Sequence, residues 1–236
     1  MQRCRYGGQQ VSRGTYSSAT KLLTLAREFE DELCDAPGVS STIPPHTTEA
    51  STVFTSSSSP RTRSVTLEAL RDATIYEDGS LSNGAGTMVF VGLNEHGLRR
   101  RALLFFGITM VVPSGATIES AELTLAVTHA PGAEAEALDL QLHALSQRWS
   151  EGTVVAPGTG LAGGNATSGD VTWAYATFES TQWSRLGGDF AAEPVANATA
   201  GAVGSSLTFR GPALTAALQV RHALPHLLLL TKLKGP

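Results

Sequence analysis

Four oxygen-bearing side chains, Asp72, Glu77, Asp78 and Asn83, gather around the glycine- and serine-rich stretch GSLSNGAG, and Trp173, Tyr175 and Trp183 lie close together in VTWAYATFESTQW. Oxygen ligands on a loop are what Ca²⁺ takes, so the first group is a candidate structural calcium site. Its spacing is not that of an EF-hand loop, and turn-forming acids bonding their own backbone are the plain alternative. Aromatic rings with a polar handle tolerate a wet setting and stack on the apolar C–H faces of sugars, which makes Trp173, Tyr175 and Trp183 candidate carbohydrate-binding residues. Trp183 is expected to be the most exposed of them, because it lies past the alternating strand. Core packing against Leu123 or Phe106 is the competing reading of Trp173, and a structural corner is the expected role of Trp149 in QRWSEG.

Catalytic constellations are missing from the pattern. No H-x-x-x-H pair suits a metal on a helix, and neither G-x-S-x-G nor a P-loop occurs. Glu151 with Asp170 or Glu179 could be nominated as a glycosidase carboxylate pair, but that chemistry depends on their separation in space. The formal net charge is −4, with 17 Lys and Arg against 21 Asp and Glu, and no basic face is expected that would hold a nucleic-acid backbone. Cys4 and Cys34, the two cysteines, form neither a disulfide framework nor a zinc motif.

The elements that must position these residues are strands. RRRALLFFGITMVVPSGATIESAELTLAVT, Arg99 to Thr128, alternates in both halves: Leu104, Phe106 and Ile108 share one face, and Ala121, Leu123, Leu125 and Val127 oppose Glu122, Thr124 and Thr128. Pro113-Ser114-Gly115 breaks the run as a turn would. Two strands with one apolar face each need a second sheet to cover them. ATIYED and TMVFVGL add strands, the latter joined to RRRALLFF by a hairpin loop, Asn94 to Gly97. LDLQLHA and VTWAYATF also alternate. Between them the long glycine-rich stretch Val155 to Asp170 is expected to be functional or disordered.

The run RALLFFGITMVVPSGATIESAELTLAVT, with ATIYEDGSLSNGAGTMVFVG before it and LHALSQRWSEGT, GDVTWAYATFES and GGDFAAEPVANAT after it, resembles the DNRLRE family of extracellular β-sandwich modules. That family typically carries a run like "ALLRFDLS-IP-GATI-SAELTL". The resemblance covers roughly Val65 to Gln219 and implies a jelly-roll-like antiparallel β-sandwich, usually a non-catalytic attachment of secreted or surface proteins. Where the family pattern has a basic residue and an Asp, this chain has Phe105 and Gly107, which sets Phe105 on the polar face.

Residues 1–63 are expected to be a largely disordered Ser/Thr-rich head, and residues 64–236 the sandwich. Within the head, Leu22, Leu25 or Ala26, Phe29 and Leu33 predict one helix over Ser18 to Leu33. From Ser40 to Ser64, 14 of 25 residues are Ser or Thr, too little apolar area to offset the entropy of ordering. No apolar run has the length of an export signal near the start, and none reaches the roughly 18 residues of a membrane span. The C-terminal run Leu227 to Leu230 is expected beside an unpaired edge, with the closing strands incomplete. Asn165-Ala-Thr and Asn197-Ala-Thr fit the N-glycosylation pattern. Together these point to an all-β, non-catalytic carbohydrate-binding or surface-attachment module. A polysaccharide or cell-surface glycan is its expected partner, and the family resemblance implies an extracellular setting. The alternatives are a structural spacer or adhesion domain without a sugar site and, third, a polysaccharide-acting hydrolase.

Overall fold

A computed structural model of the chain describes residues 15–29, 61–113, 115–130, 137–220 and 226–232. In chain order the strands are β1 (Thr15–Phe29), β2 (Arg61–Glu68), β3 (Arg71–Tyr76), β4 (Leu81–Asn83), β5 (Val89–Leu93), β6 (Arg99–Phe106), β7 (Ile118–His129), β8 (Leu138–Ala144), β9 (Gly164–Asn165), β10 (Tyr175–Thr177), β11 (Thr181–Gln182), β12 (Ala196–Ala200), β13 (Ser206–Arg210) and β14 (His226–Lys232). One helix, α1 (Pro212–Val220), precedes β14. The fold is therefore all-β, and its strand pairs are antiparallel. Twelve strands form one sheet, along the path β12-β8-β14-β6-β5-β1-β7-β13, with β2 beside β1 and β3, β4 and β9 branching from β6. β12 and β13, the two ends of that path, also lie in contact, so the path bends back on itself.

β7 follows its sequence pattern. Ile118, Ala121, Leu123, Leu125 and Val127 are buried, while Glu119, Ser120, Glu122, Thr124 and Thr128 are exposed or half-buried. The inward set joins Val89, Val91, Ala102, Leu104, Phe106, Leu140, Leu142, Leu207 and Phe209 in an aliphatic cluster, which α1 caps with Leu214 and Leu218. Those two leucines are one turn apart on the same helix face. Proline at the first helical position suits the start of α1, because its missing N–H has no intrahelical role there.

β6 behaves differently, since its middle residues are buried on both faces. Ala102, Leu104 and Phe106 enter the aliphatic cluster, whereas Leu103 and Phe105 join a second one with Ala73, Ile75, Leu145, Trp149, Val171, Trp173, Ala176 and Trp183. The expected polar face of β6 is thus an interior face. Phe105 packs there beneath the Arg71 guanidinium, 4.9 Å from the ring centre.

Several expectations are corrected. The predicted helix over Ser18 to Leu33 is strand β1 through Phe29. Its register pairs Leu23 with Leu123 and Leu25 with Ala121, so a different set of leucines, two residues apart, supplies the period of a strand. A lone helix of that length is marginal in water, and strand preference is decided by what lies alongside. Here β7 lies along one edge, and β5 and β2 along the other. Arg61 to Arg63, also expected in the disordered head, belong to β2, and the remainder of that head, with Cys4 and Cys34, falls outside the described residues. The Leu227 to Leu230 run is not beside an open edge: it forms β14, hydrogen-bonded to β6 on one side and β8 on the other. GSLSNGAG contributes β4 rather than loop alone. VTWAYATF is strand only at β10, and the chain before it is irregular.

Candidate functional site

The chain from Leu145 to Phe190 folds across the second face of β3 and β6, and the aromatic candidates sit in this cover. Trp149, Trp173 and Trp183 are 4%, 5% and 6% exposed. Trp183, expected to be exposed, instead points inward and donates from Nε1 to Thr172 O (2.9 Å). Buried indoles seek such a partner, and the carbonyl of a neighbouring loop provides it. Tyr175 remains half-buried. Its hydroxyl accepts from Gln182 Nε2 (3.2 Å), and its ring stands edge-on to Phe178 with centroids 5.3 Å apart. The three candidate sugar-binding residues therefore do not form a row of accessible rings.

What surrounds Trp173 is cationic. The Arg101 guanidinium lies 4.7 Å from its ring centre and 5.0 Å from that of Phe190, while Arg99 is 5.3 Å from Trp173 and Arg185 5.6 Å from Phe190. Arg101 is 8% exposed and donates from Nη1 to Gly187 O (2.6 Å), yet no carboxylate among the described residues lies within ion-pair range of it. Burial, reinforced by the charges of Arg99 and Arg185, lowers its pKa to about 10, so it remains a cation at neutral pH. Ring faces attract such a cation most strongly when it is shielded from water. Gly187 makes this possible: its φ of +85° is left-handed, and a Cβ there would stand 2.3 Å from Arg101 Nη1 and 2.7 Å from Trp173. His143 completes the group, edge-on to Phe190 at 4.9 Å with Nδ1 bonded to Ala191 O (2.8 Å), and burial holds its pKa below the usual range. Sequence reading missed this cluster. The Arg99 to Arg101 triplet was visible, but its nearness to residues 173–190 was not.

The candidate calcium ligands do not converge. Asp72 is the second residue of β3 and Glu77 follows its end, which at the usual strand rise separates them by about 16 Å. Glu77 binds Arg99 through both oxygens, and the Arg99 hydrogen bonds hold its carboxyl below the ordinary range. Asn83 is buried and occupied at both ends, accepting from Ala156 N (2.9 Å) and donating to Met88 O (3.2 Å). Asp78, half-buried, follows Glu77 at that same far end. No group of three His, Cys, Asp or Glu suited to a metal occurs among the described residues. The residues present do not fit a calcium ion.

The nominated carboxylates are likewise engaged. Glu151 Oε1 accepts from Asp72 N (2.8 Å). Asp170, fully buried, takes the N–H groups of Thr153 (2.7 Å), Val154 (3.2 Å) and Thr167 (2.6 Å) and the Thr167 hydroxyl (2.9 Å). Burial pushes its pKa up, but these donors outweigh that and the carboxyl ends below its usual range. Glu179 is exposed in a turn, with φ of 63°. The stretch Val155 to Asp170 is accordingly tied down. β9 pairs with β4, and Tyr76 donates to Gly160 O (2.7 Å) across it. Asn165 and Asn197 are exposed.

No protein-family model matches the chain, and comparison with curated proteins and with solved structures finds no match either. Among the described residues no helix is long and apolar enough to cross a membrane.

Proposed function

We propose that this chain is a non-catalytic structural spacer or adhesion module of an extracellular protein, a jelly-roll-like β-sandwich of the DNRLRE kind. The observation that carries this reading is the burial of all three tryptophans, with the Trp183 N–H spent on Thr172 O. Rings used in this way hold an irregular cover onto β3 and β6 and offer no stacking face. The extracellular setting rests on the family resemblance alone. Retention of the full chain on a panel of insoluble and immobilised polysaccharides tests it: no retention is expected, and saturable retention on any one of them overturns the spacer reading.

The second reading, a carbohydrate-binding module, keeps one observation in its favour. Tyr175 and Phe178 are half-buried and set edge-to-face beside Gln182, a small rim with a ring and an amide. If the panel retains the chain, Tyr175→Ala should remove most of that retention while leaving the fold intact by circular dichroism. Unchanged retention would place the contact elsewhere.

A further inference from the structure

β1 is held in the sheet through its backbone along most of its length, yet the chain that joins it to the rest is far longer than the geometry asks. Phe29 and Arg61 are register partners at one end of the β1–β2 ladder, a spacing that a hairpin loop of two to five residues would close. Thirty-one residues, 30–60, join them instead. The β1–β7 ladder also carries register shifts between Ser17 and Ser18, between Ser18 and Lys21, and between Ala26 and Arg27. Two of the strands it docks on have other partners, since β5 pairs with β6 and β7 pairs with β13, while β2 pairs among the described strands with β1 alone.

We infer that β1 is an exchangeable strand, and that the slot between β7 and the β5–β2 edge accepts the β1 of a second copy of this chain. Exchange of an identical element is the low-cost route to a dimer, because each slot receives the same ladder it had before. Magnitudes set the condition. A link of this length gives the chain's own β1 an effective concentration on the order of a millimolar at its slot. Separate copies at micromolar concentration therefore stay closed, while copies crowded to about a millimolar, as on a densely decorated surface, exchange.

Thr24 and Glu122 are opposed across the β1–β7 ladder, and opposed residues in antiparallel strands stand about 4.5 to 5.5 Å apart at Cα, within the range a disulfide spans. In full-length chains with Cys4→Ser and Cys34→Ser, one variant carries Thr24→Cys and a differently sized tag-bearing variant carries Glu122→Cys. A third chain carries both. After mixing, unfolding and refolding under oxidation, the hetero-pair disulfide, mapped by peptide mass, should form near millimolar protein and fall at least tenfold near micromolar, while the double variant closes within one chain. A double variant that closes while the mixture yields no hetero-pair at either concentration overturns the inference. So does a double variant that forms no bond, since β1 would then not lie on β7.

Discussion

The two faces of β6 are covered in opposite ways. One meets regular strands whose leucines, valines and phenylalanines repeat every second residue, and the resulting cluster contains aliphatic side chains and phenylalanine. The other meets an irregular excursion that brings three tryptophans, with three arginines and a histidine around two aromatic rings. Apolar area alone stabilises the first. The second confines a cation, Arg101, with no carboxylate partner among the described residues, a burial that is costly unless ring faces and carbonyls offset it. A face closed by strands needs little chemistry, whereas a face closed by loop has to be tied down bond by bond.

The contrast predicts different ways of failing. Phe106→Ala should be the most damaging change, lowering global stability by about 3 to 5 kcal/mol in denaturant unfolding, since its site is enclosed by regular structure. Trp173→Ala should fall at or below the lower end of that range, and should release the Gly187 amide, which donates to Trp173 O (2.7 Å), to fast hydrogen exchange while β7 amides stay protected. If β7 and Gly187 exchange together in that variant, the two faces are one cooperative unit and the distinction fails.

Asp170→Asn should cost about 1 to 3 kcal/mol, the range for disturbing buried hydrogen bonds to a charged group. The sign with pH follows from its lowered pKa: the stabilisation is fully present above the unfolded value of about 3.9 and is lost as pH falls through the folded one. The variant should therefore show a shallower loss of stability below about pH 4 than the parent. The smallest effect belongs to His143. Its folded pKa is also lowered, so the unfolded chain takes up the proton first and stability declines as pH drops below about 6.5. His143→Gln should flatten that part of the profile, and an unchanged slope there would remove His143 from the account.

How much could be read in advance follows the same division. Leu123, Leu125 and Val127 announce β7, because one face of a regular strand is buried and the other is wet. The β5–β6 hairpin is equally legible, with Asn94 N bonded to Leu98 O and the Asn94 side chain taking the Leu98 and His96 amides. Trp183 was misjudged because its burial depends on a carbonyl eleven residues earlier in a segment without periodicity. Arg101 was invisible as a buried cation for the same reason: its partners lie 72 to 89 residues away in irregular chain. β1 was misread because Leu22, Leu25 and Phe29 have helical spacing while Leu23 and Leu25 have that of a strand, and only a neighbouring edge decides.

The place of β14 bears on how the molecule comes into being. Its slot lies in the interior of the sheet, between β6 and β8, yet it is the last strand in the described chain to be synthesised. At ordinary translation rates of about 5 to 20 residues per second, the roughly 120 residues from Phe106 to His226 take some 6 to 24 seconds to appear. Through that interval β6, with RALLFF, and, once it is made, β8 lack the partner they share. The nascent molecule is thus a patient one, obliged to keep its centre open until β14 has emerged. Folding assistants that shield strand edges during synthesis should raise its yield more than any cue given once the chain is free.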